Sequence, residues 1–97
     1  MNQLTSSELK EWINSGKDFL LVDIREDIER ERYHIGGEHI PMGELISRLD
    51  EMPADKDIVL YCEKGIRSVI AIQRLEALGF SSLFNLSGGM SAWKQAM

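Results

Sequence analysis

Cysteine is all but missing from this 97-residue chain: Cys62 stands alone. No disulfide can form within it. Dithiol redox chemistry inside the chain is excluded too, because a resolving thiol would have to come from outside. A chain without disulfides is expected in a reducing, cytoplasmic setting. One cysteine and two scattered histidines do not make a zinc site, so no metal is expected. Long apolar runs are lacking as well, and no membrane span is expected. Met1 to Glu8 holds neither a basic start nor an apolar stretch and does not read as a signal peptide. Positive charge is the minority: 11 Lys and Arg against 16 Asp and Glu give a net charge of −5. Such a chain lacks the basic footprint of a nucleic-acid binder and is repelled by anionic lipid. There is no repeat, low-complexity segment or linker. The length suffices for one hydrophobic core and not two, so residues 1–97 are expected to form a single domain.

What is present is a series of short elements that alternate in type. Thr5-x-x-Glu8 has the form of a capping box, with Leu4 and Leu9 at the staple positions around it. A helix is predicted to about Ser15, with Gly16 as its stop and Leu9, Trp12 and Ile13 on one face. Phe19 to Asp23 is a continuous apolar run with an acidic end, the pattern of a strand covered on both faces. Ile28 to about Tyr33 reads as a short charged helix broken by Gly36-Gly37, and Glu38 to Pro41 as a brief extended piece. A second short helix is predicted from Met42 to about Leu49, with Leu45, Ile46 and Leu49 on one side. Ile58 to Cys62 and Leu83 to Leu86 repeat the strand pattern. Ser68 to Leu78 and Met90 to Met97 read as helices. This alternation predicts an α/β domain with a mainly parallel sheet and helices on both faces.

Ligands in open α/β sheets bind beyond the carboxyl ends of strands, and Cys62 sits at such an end. Glu63-Lys64-Gly65-Ile66 follow as a mostly polar loop, and a helix begins near Arg67-Ser68. The free amides and positive dipole end of that helix are expected to point into the loop. This is a setting that lowers a thiol pKa and favours a thiolate. Lys64 and Arg67 add cationic charge, and the planar fork of Arg67 suits an oxyanion. Cys62 could instead merely fill core space, as many free cysteines do. The apolar run stops at Cys62 and a polar, Gly-containing loop follows, which favours a nucleophile.

These residues resemble the rhodanese-homology family of sulfurtransferases. Tyr61-Cys62-Glu63-Lys64-Gly65-Ile66-Arg67-Ser68 is similar to the family's Y-C-x-x-G-x-R-S loop. Leu21 to Glu26 resembles its L-x-D-V-R-E strand end, and His34 to Pro41 its H-I-P-G-A-x-x-I-P segment, with Gly36 and Glu38 as departures. Leu78-Gly79-Phe80 and Asn85 to Trp93 resemble its closing G-F and N-L-x-G-G-x-x-A-W pieces. The resemblance implies a three-layer rhodanese-like fold with a mainly parallel central sheet of about five short strands. It also implies that Cys62 takes a sulfane sulfur from a small donor such as thiosulfate, becomes a persulfide, and passes the sulfur to a thiol or cyanide, with no cofactor. The backbone amides of residues 63 to 67 would hold the outer sulfur, and Ser68 would cap the helix or donate to the sulfur. The segment from Leu45 to Ser68 also resembles rhodanese domains appended to enzymes that activate sulfur-carrier proteins, which makes such a carrier a candidate partner.

A third alternative is a phosphatase of related fold. Those enzymes have five residues between Cys and Arg, whereas four separate Cys62 from Arg67, which suits a single sulfur atom better than a phosphate. Glu63 partly offsets Lys64, which argues against the dianion thiosulfate as an efficient donor. Asp23 reads as an N-cap or structural hydrogen-bond acceptor near the site, and Arg25 as the partner of a nearby acid. His34 and His39 read as structural, Trp12 and Trp93 as packing, and the charge run Arg25 to Arg32 as a solvated helix face.

Overall fold

The computed structural model describes residues 1–96 and contains a five-stranded parallel sheet with helices on both sides. The strands are β1 (Asn2–Leu4), β2 (Phe19–Asp23), β3 (Glu38–His39), β4 (Asp57–Tyr61) and β5 (Leu83–Leu86). The helices are α1 (Ser6–Asn14), α2 (Asp27–Arg32), α3 (Arg67–Ala77) and α4 (Gly89–Gln95). The sheet order is β1-β5-β4-β2-β3, every pairing parallel. Met97, included in the last predicted helix, lies outside the described residues.

The pleat of β4 divides the core in two. Ile58, Leu60 and Cys62 face one layer with Val22, Ile24, Ala71, Ile72 and Leu75. Val59 and Tyr61 face the other with Leu4, Leu9, Leu21, Leu86 and Met90. Successive side chains of a strand point to opposite faces, so the helix α3 that follows Cys62 covers the face on which Cys62 lies. Trp12 packs edge-on against Phe19 and Phe84, with ring centroids 5.4 and 5.0 Å apart, and Trp93 packs against the same cluster. Both tryptophans are packing residues. Among the described residues no helix is long and apolar enough to cross a membrane.

Topology places the site. From β2 the chain moves outward to β3, whereas from β4 it moves to β5 on the other side. Adjacent strands whose connections diverge leave a crevice at their carboxyl ends. Asp23 pairs in register with Tyr61 there, which brings Asp23 to Arg25 and Cys62 to Ser68 to one end of the sheet.

Two expectations are corrected. The segment after Pro41 is not an α-helix but two 3₁₀ stretches, Met42–Glu44 and Ile46–Glu51, with a non-helical Arg48 (φ −120°, ψ 29°). A kink at Arg48 divides the segment between Pro41 and Pro53, and the short pieces close with 3₁₀ bonds. Leu45 is buried there while Ile46 is 53% exposed, so the apolar face is Leu45, Leu49 and Met52. In addition, Asn2–Leu4 forms an edge strand the sequence did not announce, paired with β5.

The first helix follows its signals closely. Thr5 Oγ1 accepts from the Glu8 amide at 3.1 Å, and Glu8 Oε1 accepts from the Thr5 amide at 2.9 Å. Leu4 and Leu9, on either side of the cap, are both buried, whereas Ile13 is 46% exposed and falls off the predicted face. Thr5→Ala is expected to lower the unfolding free energy by about 1 kcal/mol, read as a lower urea midpoint at unchanged slope.

Candidate active site

Cys62 leaves β4 buried, at 1% exposure, with its thiol at the floor of an open depression of about 350 Å³. Glu29, Glu63, Lys64, Ile66 and Arg67 complete the lining. The chain then turns through Gly65 (φ 82°) into α3. The Gly65 amide donates to Cys62 Sγ at 3.1 Å and the Ser68 amide at 3.4 Å. Ser68 Oγ lies 3.3 Å from the sulfur. Burial alone pushes the thiol pKa up, but the hydroxyl and amide of Ser68 and the amides of Gly65 and Lys64 together bring it below its ordinary value. The Ser68 amide comes from the first turn of α3, as the dipole direction of that helix favours.

The carbonyls of the loop are held from the opposite side. Cys62 O accepts from the Met90 amide at 3.0 Å, and Glu63 O from the Ser91 amide at 2.9 Å. Both donors belong to the first turn of α4, where helix amides lack internal partners. That contact requires Gly89. A Cβ there would stand 2.4 Å from Cys62 O and 2.7 Å from Glu63 O, and its φ of +57° is unfavourable for any other residue. With its carbonyls turned toward α4, the loop presents amides to the sulfur.

Arg25 is not part of a solvated helix face. It is 1% exposed, and its guanidinium meets Asp23 at 3.0 Å through both Nε and Nη2, Tyr33 O at 2.6 Å and Glu63 Oε1 at 3.2 Å. Asp23 caps no helix. It accepts from the Arg25 amide and side chain and lies 3.5 Å from Arg30. Burial raises the Asp23 pKa, and the hydrogen bonds from Arg25 more than reverse that. Glu63 is thus bound from below by Arg25 and from outside by Lys94 at 3.6 Å.

Arg67 is also engaged. Its two Nη atoms donate to the two Glu29 oxygens at 2.9 and 2.8 Å, so the fork predicted to hold an oxyanion closes on a carboxylate of α2. The rim therefore carries two positive and two negative side chains, Lys64 and Arg67 against Glu29 and Glu63. His39 contacts Arg25 O at 2.7 Å, and His34 Nδ1 accepts from the Gly36 amide at 2.9 Å. Both are structural. Glu29 and Lys94 escaped the sequence reading, whereas Asn85 and Gly89 entered it only within the closing segment Asn85 to Trp93 and without a role at the site. Asn85 also carried a local signal, as a polar residue inside the apolar run Leu83-Phe84-Asn85-Leu86.

Comparison with known proteins fits this geometry. The rhodanese-like domain family matches residues 5–96. The probable adenylyltransferase/sulfurtransferase MoeZ of Mycobacterium tuberculosis is 36% identical over 97 residues, covering 97% of this chain and 25% of MoeZ. The chain thus spans a quarter of that relative's length. A sulfurtransferase of Allochromatium vinosum is 36% identical over 94 residues, covering 96% of this chain and 88% of that protein. The crystal structure of a rhodanese-like domain protein from Staphylococcus aureus superposes with a TM-score of 0.88 at 32% identity, covering 96% of this chain and 91% of the other. The names of these relatives support a general role in sulfur transfer.

Two outcomes follow from the scaffold of the loop. Gly89→Ala is expected to cost about 2 kcal/mol or more, through strained backbone and the clash with Cys62 O, measured by urea unfolding. Arg67 holds the Glu29 carboxyl down to about 2, against an ordinary 4.5. A depressed carboxyl contributes stability that is fully present above its unfolded value and is lost as pH falls through its folded value. The stability difference between the wild type and Glu29→Gln is therefore expected to be largest near neutrality and to shrink between about pH 4.5 and pH 2.

Proposed function

The chain belongs to the rhodanese-like domain family, and on that footing we propose that it is a sulfurtransferase carrying a sulfane sulfur as a persulfide on Cys62. The observation that carries this reading is the cradle around Sγ: the Gly65 and Ser68 amides donate to it, and Ser68 Oγ lies 3.3 Å away. In the first step the Cys62 thiolate attacks the sulfane sulfur of a donor. The Sγ–S bond forms as the donor's own sulfur–sulfur bond breaks, and the bonding pair leaves with the remainder of the donor, sulfite or a thiolate. In the second step a thiol or cyanide acceptor attacks the outer sulfur, and the pair returns to Sγ. No electron is gained or lost overall, and no cofactor is needed. The outer sulfur carries the negative charge of the loaded state, and the amides of residues 63 to 67, with Lys64 at the rim, are its counterparts.

The pairing at the rim bears on the donor. Arg67 is bound to Glu29, and Glu63 is itself anionic, so the entrance offers little net positive potential. Coulomb attraction there favours a monoanionic or neutral donor such as a persulfide over the thiosulfate dianion. A relay role between proteins, serving a sulfur-carrier partner, is the second reading. It draws on the likeness to MoeZ, whose name joins adenylyl and sulfur transfer, and on Ile66, which is 67% exposed at the mouth. A single free thiol suits a reducing, cytoplasmic setting.

Incubation with a sulfane donor is expected to add one sulfur atom to the intact mass, and Cys62→Ser to abolish the addition. An adduct that persists in Cys62→Ser refutes the persulfide mechanism. Turnover to a carrier protein with little turnover to cyanide selects the relay reading.

A further inference from the structure

Behind the thiol lies a side-chain relay. Ser68 is fully buried and Asn85 is 2% exposed. Ser68 Oγ meets Cys62 Sγ at 3.3 Å on one side and the Asn85 side-chain oxygen on the other. The orientation of the Asn85 amide is fixed by its nitrogen, which donates to Gly65 O at 3.3 Å and to Gln3 Oε1 at 3.0 Å. A backbone carbonyl can only accept, so the amide nitrogen must face Gly65 and the amide oxygen must face Ser68.

Ser68 has one hydroxyl hydrogen and two claimants. With Cys62 protonated, Ser68 donates to Asn85 and the thiol donates to Ser68, and every group is satisfied. With Cys62 ionised, the thiolate has no hydrogen to give. The hydroxyl must then turn to the sulfur, which leaves the Asn85 oxygen unpartnered in a buried site, a costly state. We infer that Asn85 is a positioning residue that restrains ionisation of Cys62 by competing with the thiolate for the hydroxyl hydrogen of Ser68. The competition ends when Sγ is bonded to a second sulfur, because the charge then lies on the outer atom and Ser68 can return to Asn85. Asn85 thereby disfavours the bare thiolate relative to the loaded state. That consequence rests on the persulfide reading; the hydrogen-bond competition does not.

Charged groups surround the thiol from other elements: Lys64 and Glu63 on the loop, Arg67 on α3, Glu29 on α2, and Arg25 behind Glu63. The ion pairs of Arg25, Glu63, Arg67 and Glu29 are made to residues other than Asn85 and Ser68. The test is therefore a double-mutant cycle on the thiol pKa, read from thiolate absorbance or from the pH profile of alkylation. Cys62 is the single cysteine, so the signal is its own.

Asn85→Leu removes the competing acceptor and is expected to lower the thiol midpoint by about one unit, the size of one hydrogen bond to a charged group. In a Ser68→Ala background the same change is expected to leave the midpoint unmoved. Asn85→Asp keeps the shape and strengthens the acceptor. It is expected to raise the midpoint, and by more with Ser68 present than with Ala. An unchanged or raised midpoint in Asn85→Leu, or shifts equal in the two backgrounds, overturns the inference, since a distorted Gly65 loop would act without Ser68. Should Asn85→Leu fail to fold, the Asn85→Asp pair decides alone. The titration does not involve a sulfur donor, so its outcome is independent of whether Cys62 forms a persulfide.

Discussion

The guanidinium of Arg25 is the constraint on which the active end of the sheet depends. A charge this deeply buried is tolerable only when its donors are met. Here Asp23 takes two, Glu63 one and Tyr33 O another, and the ring of Tyr61 lies 5.6 Å away. These partners come from the end of β2, from the loop after β4 and from the end of α2. One buried cation therefore spans the crevice that the divergent connections of β2 and β4 open. Asp23 and Glu63 are each made compatible with their surroundings by it, and without Arg25 their remaining cationic partners would be Arg30 at 3.5 Å and Lys94 at 3.6 Å.

Glu63 fixed from below is what allows Cys62 to be fixed from the sides. The loop that begins with them cannot roll, because the carbonyls of Cys62 and Glu63 are bound to α4 and the amides of Gly65 and Ser68 to sulfur. The peptide planes are polar on both edges, and the structure assigns each edge a separate partner. Activation of the thiol is thus a consequence of where the carbonyls go. The nearby cations contribute less, since Arg67 is bound to Glu29 and Lys94 to Glu63. This is preorganisation by dipoles held in place by the fold, a form of electrostatic stabilisation that needs no net charge at the entrance.

Much of this was legible in the sequence, for identifiable reasons. Phe19 to Asp23 and Leu83 to Leu86 carry apolar runs long enough to declare strands, and both occur with those bounds. The capping box at Thr5 is a local signal and gives a local structure. The Cys62 loop was visible because a strand, a glycine and a helix follow one another within a few residues. What stayed hidden depends on partners remote in the chain. Asn2 and Gln3 have no strand pattern, and they pair because β5 offers its backbone there. Glu29 carries no mark of its meeting with Arg67, which is 38 positions away. The segment Met42 to Glu51 has an apolar periodicity, but nothing in it marks the kink at Arg48 that breaks it into 3₁₀ pieces.

The edges of the sheet have a consequence of their own. β1 and β3, the outermost strands, are three and two residues long. An open edge is a template for unwanted pairing, and its danger grows with its length. Edges this short offer almost no backbone to a neighbouring chain. Such a unit is portable: it can sit beside other folded units, or be fused to them, without its sheet recruiting a foreign strand.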